Sequence, residues 1–417
     1  MDIPEDSRMA PIGEVIEHIR SGGMIILVDD EGRENEGDLI MACEKVTPKA
    51  VNFMASRGRG MICVALTGKR ADKLRLEPMV GSNTSLHGTS FTVTVDLKKG
   101  TSTGISAFDR AATMKALCNP RTKPDDLARP GHIFPLRARD GGVLHRAGHT
   151  EAAVDLAALA GFQPVGVLCE IMDDDGKMAR LPRLFEIAGE FDLPVASIQD
   201  LIRYRRKREK LVKCTEKTVL PTEFGTFDMF LYETVYSDEA HLALVCGQVA
   251  GKENVLIRVH SSCLTGDALG SMRCDCRYQL HTAMRMIQQE GCGVLLYLNQ
   301  EGRGIGLAPK IKAYALQDKG LDTVDANIEL GYKDDERDYG MGIQILKDLG
   351  LNSVRLMTNN PKKIDAFIYE GYGLKVTEQV PIEQDPNVHN RDYLATKKSR
   401  MGHRLEKIDK EKKPDKT

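Results

Sequence analysis

Residues 258–280 read RVHSSCLTGDALGSMRCDCRYQL, and this stretch sets the plan of the second half of the chain. It opens as a strand and closes as a helix expected from about Gln279 to Glu290, and the turn between them holds Cys263, Cys274 and Cys276 in a C-x10-C-x-C array. Three thiolates can hold a zinc ion, and three without a fourth leave a position open for water, as catalytic zinc requires. A closed structural site completed by Cys246 or Cys292 would use the same three residues, so spacing alone leaves both readings open.

Strand-like alternation in FDMFLYETVY and HLALVCGQV precedes this stretch, and the buried strand VLLYLNQ follows it. That strand leads into QEGRGIGLAPKIKAYALQ, where Gly302, Gly304 and Gly306 let backbone N–H groups approach an anion beside Arg303 and Lys310. SVRLMTNNPKKIDAFIYEG repeats the strand, polar turn and helix plan, with Thr358, Lys362 and Lys363 at the turn. The Lys-rich tail after about Leu405 is expected to be disordered.

The first half is organised around a different chemistry. PIGEVIEHIRSG places Ile12, Val15, Ile16 and Ile19 on one helical face, and the strand MIILVDD then delivers Asp29 and Asp30 to the acidic loop EGRENEGD. Two carboxylates about 4 Å apart repel by about 4 kcal/mol at an effective dielectric near 20, so this density calls for a hard cation, a charged substrate or full solvation. MICVALTG, SFTVTVDL and VGVLCEIMDDDG read as strands, and TSTGISAFDRAATM and RAGHTEAAVDLAALAG as helix starts. The latter puts His149 and Thr150 at a helix N-terminus, which favours phosphate. Each histidine taken singly is more often a packed or surface residue than a ligand.

A length of 417 residues suggests about two or three domains. A net charge of −2 points to no nucleic-acid or membrane partner, and no run approaches the roughly 18 to 20 apolar residues of a membrane span. The polar start MDIPEDSR and ten scattered cysteines predict a cytoplasmic protein with reduced thiols. The basic run Arg203–Lys210 reads as a helix end leading into a linker through KCTEKTVLP. A zinc-dependent nucleic-acid-binding module would need a basic, aromatic face by the cysteines, whereas Asp267, Asp275 and Glu301 lie near them and tryptophan is absent.

The motif sets carry two resemblances. DDEGRENEGD, NTSLHGTSFTV, RPGHIFPLR, RAGHTEA and VLCEIMDDDG, over about residues 8–208, resemble 3,4-dihydroxy-2-butanone 4-phosphate synthase. RVHSSCLTGDALGSMRCDC, NQEGRGIGL, DERDYG and TNNPKK, from about Leu220 to Leu405, are similar to GTP cyclohydrolase II. The implied fold is α/β in two domains, an N-terminal α+β domain with a mixed sheet at 1–208 and a C-terminal three-layer α/β domain at 209–417. The implied setting is riboflavin biosynthesis, by a homodimer acting on small molecules with no nucleic acid and no membrane.

For the first domain the resemblance implies that ribulose 5-phosphate becomes 3,4-dihydroxy-2-butanone 4-phosphate and formate. Magnesium or manganese would sit on Glu34 and His149. Arg33, Glu34, Asp38, Arg146, Ala147, Gly148, His149, Thr150 and Glu170 would contact the substrate, and His132 and Glu170 would be needed for turnover. For the second it implies hydrolysis of GTP to a diaminopyrimidinone ribosylamine phosphate, formate and diphosphate, with zinc on Cys263, Cys274 and Cys276 and magnesium on the triphosphate. Arg258, Val259, His260, Ser261, Ser262, Gln279, Glu301, Gly302, Arg303, Thr323, Thr358 and Lys363 would bind GTP. Arg337 would be the nucleophile at the α-phosphorus, with Asp335 accepting a proton and Tyr314 assisting; a charge-stabilising Arg337 is the physical alternative, because guanidinium stays protonated.

Two departures from the second family bear on the nucleotide site. Ser262 stands where the family usually has glutamate, and Arg277 where it usually has glycine. They leave open an alternative in which only the synthase half turns over and the zinc-binding half is slow or a scaffold.

Overall fold

The computed structural model describes residues 9–30, 33–85, 88–234, 239–332, 337, 339–361, 363 and 373–409. The chain divides into two compact units, Met1–Arg208 and Glu209–Thr417.

The first unit is built on seven strands: β1 Ile25–Val28, β2 Gly37–Ala42, β3 Cys63–Thr67, β4 Val95–Leu97, β5 Leu127–Ala138, β6 Val165–Glu170 and β7 Val195–Ser197. They lie in the order β4-β5-β3-β6-β2-β1-β7, with β1–β7 and β3–β5 parallel and the remaining pairs antiparallel. β1 and β2 are buried on both faces, so they read as apolar runs without alternation. Helices Ile12–Arg20, His149–Leu159 and Ile198–Arg208 cover one face, with Ile12, Val15, Ile16 and Ile19 inward as their spacing predicts. Pro48–Phe53, Ala107–Cys118 and Leu181–Phe191 cover the other. Only Val95–Leu97 of SFTVTVDL pairs as a strand, although Phe91 forms a lone bridge to Leu136.

The second unit contains β8 Val212–Thr222, β9 Gly225–Thr234, β10 Ala240–Cys246, β11 Val255–Ser261, β12 Gly293–Leu298, β13 Ser353–Met357 and β14 Lys375–Val380. Their order is β14-β13-β11-β12-β10-β9-β8. β8, β9, β10 and β12 pair antiparallel, whereas β12, β11, β13 and β14 run parallel. Helix Cys276–Glu290 packs Ala283, Met284 and Ile287 against Leu256 and Leu295 on one face. Helix Gly340–Asp348 lies on the other, where a Cβ at Gly342 would sit 3.3 Å from Leu298 Cδ1. This is the three-layer arrangement expected of the C-terminal half.

Two boundaries differ from the sequence reading. KCTEKTVLP lies within strand β8 and is not a linker, because β8 forms ten antiparallel residue pairs with β9. The helix after the cysteines begins at Cys276 and not Gln279, so the last thiol sits in its first turn.

β6 shows how tightly the first unit is packed. A Cβ on Gly166 would lie 2.5 Å from Ala153 O in the helix that starts at His149. Gly166→Val should therefore destabilise the first unit by about 1–3 kcal/mol, read as a lowered denaturant midpoint of that unit's transition. An unchanged midpoint would mean that the helix can shift freely.

Candidate active sites

In the first unit the carboxyl ends of β1 and β6 and the start of β2 bring the acidic residues together. Asp29, Glu34 and His149 offer ligand atoms within 4.8 Å of one another. His149 Nε2 lies 3.1 Å from Leu27 O and donates to it, which fixes the tautomer and turns Nδ1 towards Glu34 (3.8 Å) and Asp38 (3.9 Å). The sequence brings Asp29 to the acidic loop but assigns it no ligand role. Its oxygens accept from Arg33 (2.7 Å), Glu34 N (3.2 Å) and Glu36 N (2.9 Å), so it also shapes the acidic loop. Arg33 also reaches Glu34 at 2.9 Å.

Asp38 faces Glu170 directly across the β2–β6 pair. Its Oδ1 is buried without a hydrogen-bond partner among the described residues, and burial, reinforced by Glu170, Glu34 and Glu36, pushes its carboxyl up to about 7. Burial opposes charge on His149, but Asp38, Glu34 and Asp29 overcome it and raise the imidazole to about 9. Glu36 is also raised, chiefly by burial. Met61 N donates to Glu170 Oε2 at 2.8 Å, and Gly60 is required there because a Cβ would fall 2.6 Å from that oxygen.

His132 does not join this cluster. It lies on β5, three strand spacings from β2 and so on the order of 14 Å away. Its partner is Asp96 on β4, 2.6 Å from Nδ1, which sequence reasoning missed because the pairing spans 36 residues. Gly104 passes directly over this pair; a Cβ there would lie 2.2 Å from Asp96 Oδ2. Arg146 pairs with buried Glu151 at 2.6 Å, and Ala147 and Gly148 lead into the helix whose first residues are His149 and Thr150.

In the second unit a cleft opens at the carboxyl ends of the parallel strands β11, β12 and β13, where open α/β sheets place ligands. Cys263, Cys274 and Cys276 lie within 4.8 Å of one another and line it. Gly266 makes the room: a Cβ would fall 2.7 Å from Cys274 Sγ and 3.0 Å from Cys263 Sγ. Cys246 and Cys292 are not part of the cluster among the described residues, and Cys292 instead meets Lys252 at 3.5 Å. The donors of the trio suit a soft or borderline ion. Hydrogen bonds from Cys274 and Cys276 favour a thiolate on Cys263, with Lys310 adding to them.

Asp267 organises the turn. It accepts from His260 Nε2 (3.1 Å), Tyr297 OH (2.9 Å) and Cys263 N (3.0 Å). His260 Nδ1, Ser261 Oγ and Ser262 Oγ are buried at the cleft with no partner among the described residues, which suits a polar ligand. Arg258 donates to Met357 O (2.8 Å) and to Gln279, whose amide donates to Asp275 (2.7 Å). The glycine loop turns through left-handed Gly302 (φ 63°), Arg303 (φ 65°), Gly304 (φ 93°) and Gly306 (φ 90°).

Glu301, Gly302, Arg303, Tyr314, Thr323, Arg337, Thr358 and Lys363 all line the same cleft. Val259 does not: its side chain is in the core, and its carbonyl accepts from Lys363 at 2.9 Å. Asp335 and Lys362 lie outside the described residues. Arg277 corrects the expectation that both departures face the nucleotide site. Gln279 is three residues from Cys276 and shares its helical face, whereas Arg277 is about 100° away and lines a neighbouring depression with Tyr278, His281 and Arg285, which meets the cleft only at Cys274. Tyr393, Lys397, Met401 and His403, to which the sequence reading assigns no role, complete the cleft wall, and Lys397 pairs with Asp275 at 2.7 Å. Burial, with Lys397, Arg337 and Arg303 nearby, holds His403 down at about 3.

Comparison with known proteins gives a consistent picture. Family models for 3,4-dihydroxy-2-butanone 4-phosphate synthase and GTP cyclohydrolase II match residues 13–204 and 213–381. The chain is 58% identical over 406 residues to riboflavin biosynthesis protein RibBA of Cytophaga hutchinsonii, covering 97% of this chain and 100% of that one. It is 56% identical over 402 residues to the protein of that name from Aquifex aeolicus, covering 96% and 98%. A solved structure, the two-domain 3,4-dihydroxy-2-butanone 4-phosphate synthase RibBX from A. baumannii, matches with a TM-score of 0.69 at 34% identity, covering 89% of this chain and 99% of that one.

The first cluster predicts a pH dependence. Asp38 rises from 3.8 to about 7 on folding and His149 from 6.5 to about 9, so both stabilise most below their unfolded values and lose that contribution as pH rises. In metal-free protein, Asp38→Asn should remove a loss of stability seen in wild type between about pH 4 and 7, and His149→Gln one between about pH 6.5 and 9. Denaturant midpoints across pH test this; parallel wild-type and variant profiles would refute it.

Proposed function

The chain belongs to the bifunctional riboflavin biosynthesis family that joins a 3,4-dihydroxy-2-butanone 4-phosphate synthase to a GTP cyclohydrolase II, and from this premise we propose how the two halves divide the chemistry. The observation that carries the reading is the presence of two metal-competent clusters of opposite character, one of carboxylates with a histidine and one of thiols.

Residues 1–208 act on ribulose 5-phosphate and release formate. Glu34 and His149 would hold magnesium or manganese, which would supply Lewis acidity to the substrate. Arg33 orients Glu34, and Arg146, Ala147, Gly148 and Thr150 receive the phosphate near the helix start. Asp38, buried and with one oxygen lacking a hydrogen bond, carries the proton removed next to the carbonyl, and Glu170 opposite it is a second acid–base group. His132, held by Asp96, is needed for turnover by family resemblance, although within one chain it stands apart from the carboxylate cluster.

Residues 209–417 hydrolyse GTP. Cys263, Cys274 and Cys276 would hold zinc, which would supply an activated water for the hydrolysis. His260, held by Asp267, presents Nδ1 to the cleft, and Arg258, Ser261, Ser262, Gln279, Glu301, Gly302, Arg303, Thr323 and Thr358 shape the nucleotide site, with Val259 contributing through its carbonyl to Lys363. Arg337 and Lys363 stabilise phosphate charge, Tyr314 hydrogen-bonds Thr265 at 3.2 Å beside the metal turn, and Asp335 is the proton acceptor; magnesium accompanies the triphosphate.

The protein works in the cytoplasm as a homodimer. Among the described residues no helix is long and apolar enough to cross a membrane. Exposed Met79, Val80, Ile105 and Phe108 in the first unit favour self-association.

Purified protein should release formate from ribulose 5-phosphate with magnesium and from GTP with zinc and magnesium. Loss of partners one step removed from a metal costs about 10–100-fold, so removing a ligand should cost more. His149→Ala should abolish only the sugar-phosphate reaction and Cys274→Ala only the GTP reaction; simultaneous loss of both, or of neither, would contradict the division. Because Arg277 faces away from the cleft, Arg277→Gly should leave KM for GTP within about twofold of wild type, as steady-state kinetics would reveal.

A further inference from the structure

Lys310 lines the cleft and is buried, and its ammonium contacts a proposed metal ligand. Nζ donates to Cys263 Sγ at 3.1 Å and to Glu301 Oε1 at 2.7 Å. Glu301 in turn accepts from Leu264 N at 2.6 Å through Oε2, and from Gly302 N at 2.9 Å through Oε1. The Cys263–Leu264 turn is thus gripped twice by the glycine loop and the helix after it, once through the sulfur and once through the backbone. Gly302 permits this closure, because its missing Cβ would stand 3.1 Å from Lys310 Cβ. Both Glu301 oxygens are engaged, so its carboxylate holds the metal turn more than it offers itself to a nucleotide.

Three thiolates and one divalent cation sum to a single negative charge, and a buried carboxylate next to them would add repulsion. An ammonium between the two attracts both and leaves one net negative charge in place of two, and a hydrogen bond to a thiolate lowers its electron donation to the metal. We propose that Lys310 is a positioning residue of the zinc site, which uses its charge to balance the three thiolates and ties the metal turn to the Glu301–Gly306 loop. This rests on the assignment of a metal to Cys263, Cys274 and Cys276.

The test is cobalt(II) substituted for zinc in the full-length protein, with the thiolate-to-cobalt charge-transfer band as readout. Lys310→Met should move that band to longer wavelength and lower kcat for GTP by about 10–100-fold, with formate release from ribulose 5-phosphate unchanged. Lys310→Arg should restore most of both. Loss of cobalt from Lys310→Met with retention in Lys310→Arg supports the same role. A band in Lys310→Met at the wild-type position, or cobalt lost equally from both variants, overturns it. Wild-type protein that shows the band but releases no formate from GTP would defeat the cyclohydrolase reading and leave the Lys310 contact still measurable.

Discussion

Crowded like charge is the constraint on which both halves depend. The first unit places Asp29, Glu34, Glu36, Asp38 and Glu170 around the ends of three strands, and the second places three thiols within 4.8 Å. Such groups stay together only when cations and hydrogen-bond donors are built in beside them. Arg33 and His149 do this for the carboxylates, and Lys310 with the donors around Asp267 does it for the thiols. The sheets give this arrangement its address, since each cluster sits where strand ends leave backbone and side chains free to converge.

The sequence was most legible where members of a site are close in the chain. Cys263, Cys274 and Cys276 fall within one turn and the start of one helix, so their spacing is nearly their geometry. The acidic loop after β1 was readable for the same reason, and burial of Ile12, Val15, Ile16 and Ile19 followed from helical period alone. The partners of those residues were not readable. Asp96 beneath His132, Glu301 on Leu264 and Lys397 on Asp275 are contacts between distant segments, and no local pattern marks them. β8 was hidden by its polar, lysine-bearing sequence, which an edge strand tolerates because one side of it faces solvent.

The direction of Arg277 illustrates how a boundary error becomes a functional one. Starting the helix at Gln279 leaves Arg277 in the cysteine turn, where a large cation would crowd the ligand site. Starting it at Cys276 rotates Arg277 to the outer side, while Gln279 keeps the inner one. Three residues of helix thus separate an obstruction from a surface side chain. Ser262 remains at the cleft, where its hydroxyl is available to a polar ligand.

The wall formed by Tyr393, Lys397, Met401 and His403 gives the two halves different histories during synthesis. The carboxylate cluster has all its members once Glu170 has been made, and its sheet is complete with β7 at Ser197. The nucleotide cleft begins with β11 at Val255 but waits for His403 before its wall is complete, because helix Arg391–Ser399 brings Lys397 back onto Asp275. With domains folding in the order in which they leave the ribosome, the sugar-phosphate half can mature while the thiols of the other half are still uncovered. Those three cysteines therefore pass through an interval in which they are open to adventitious metals and oxidants before the chain closes over them.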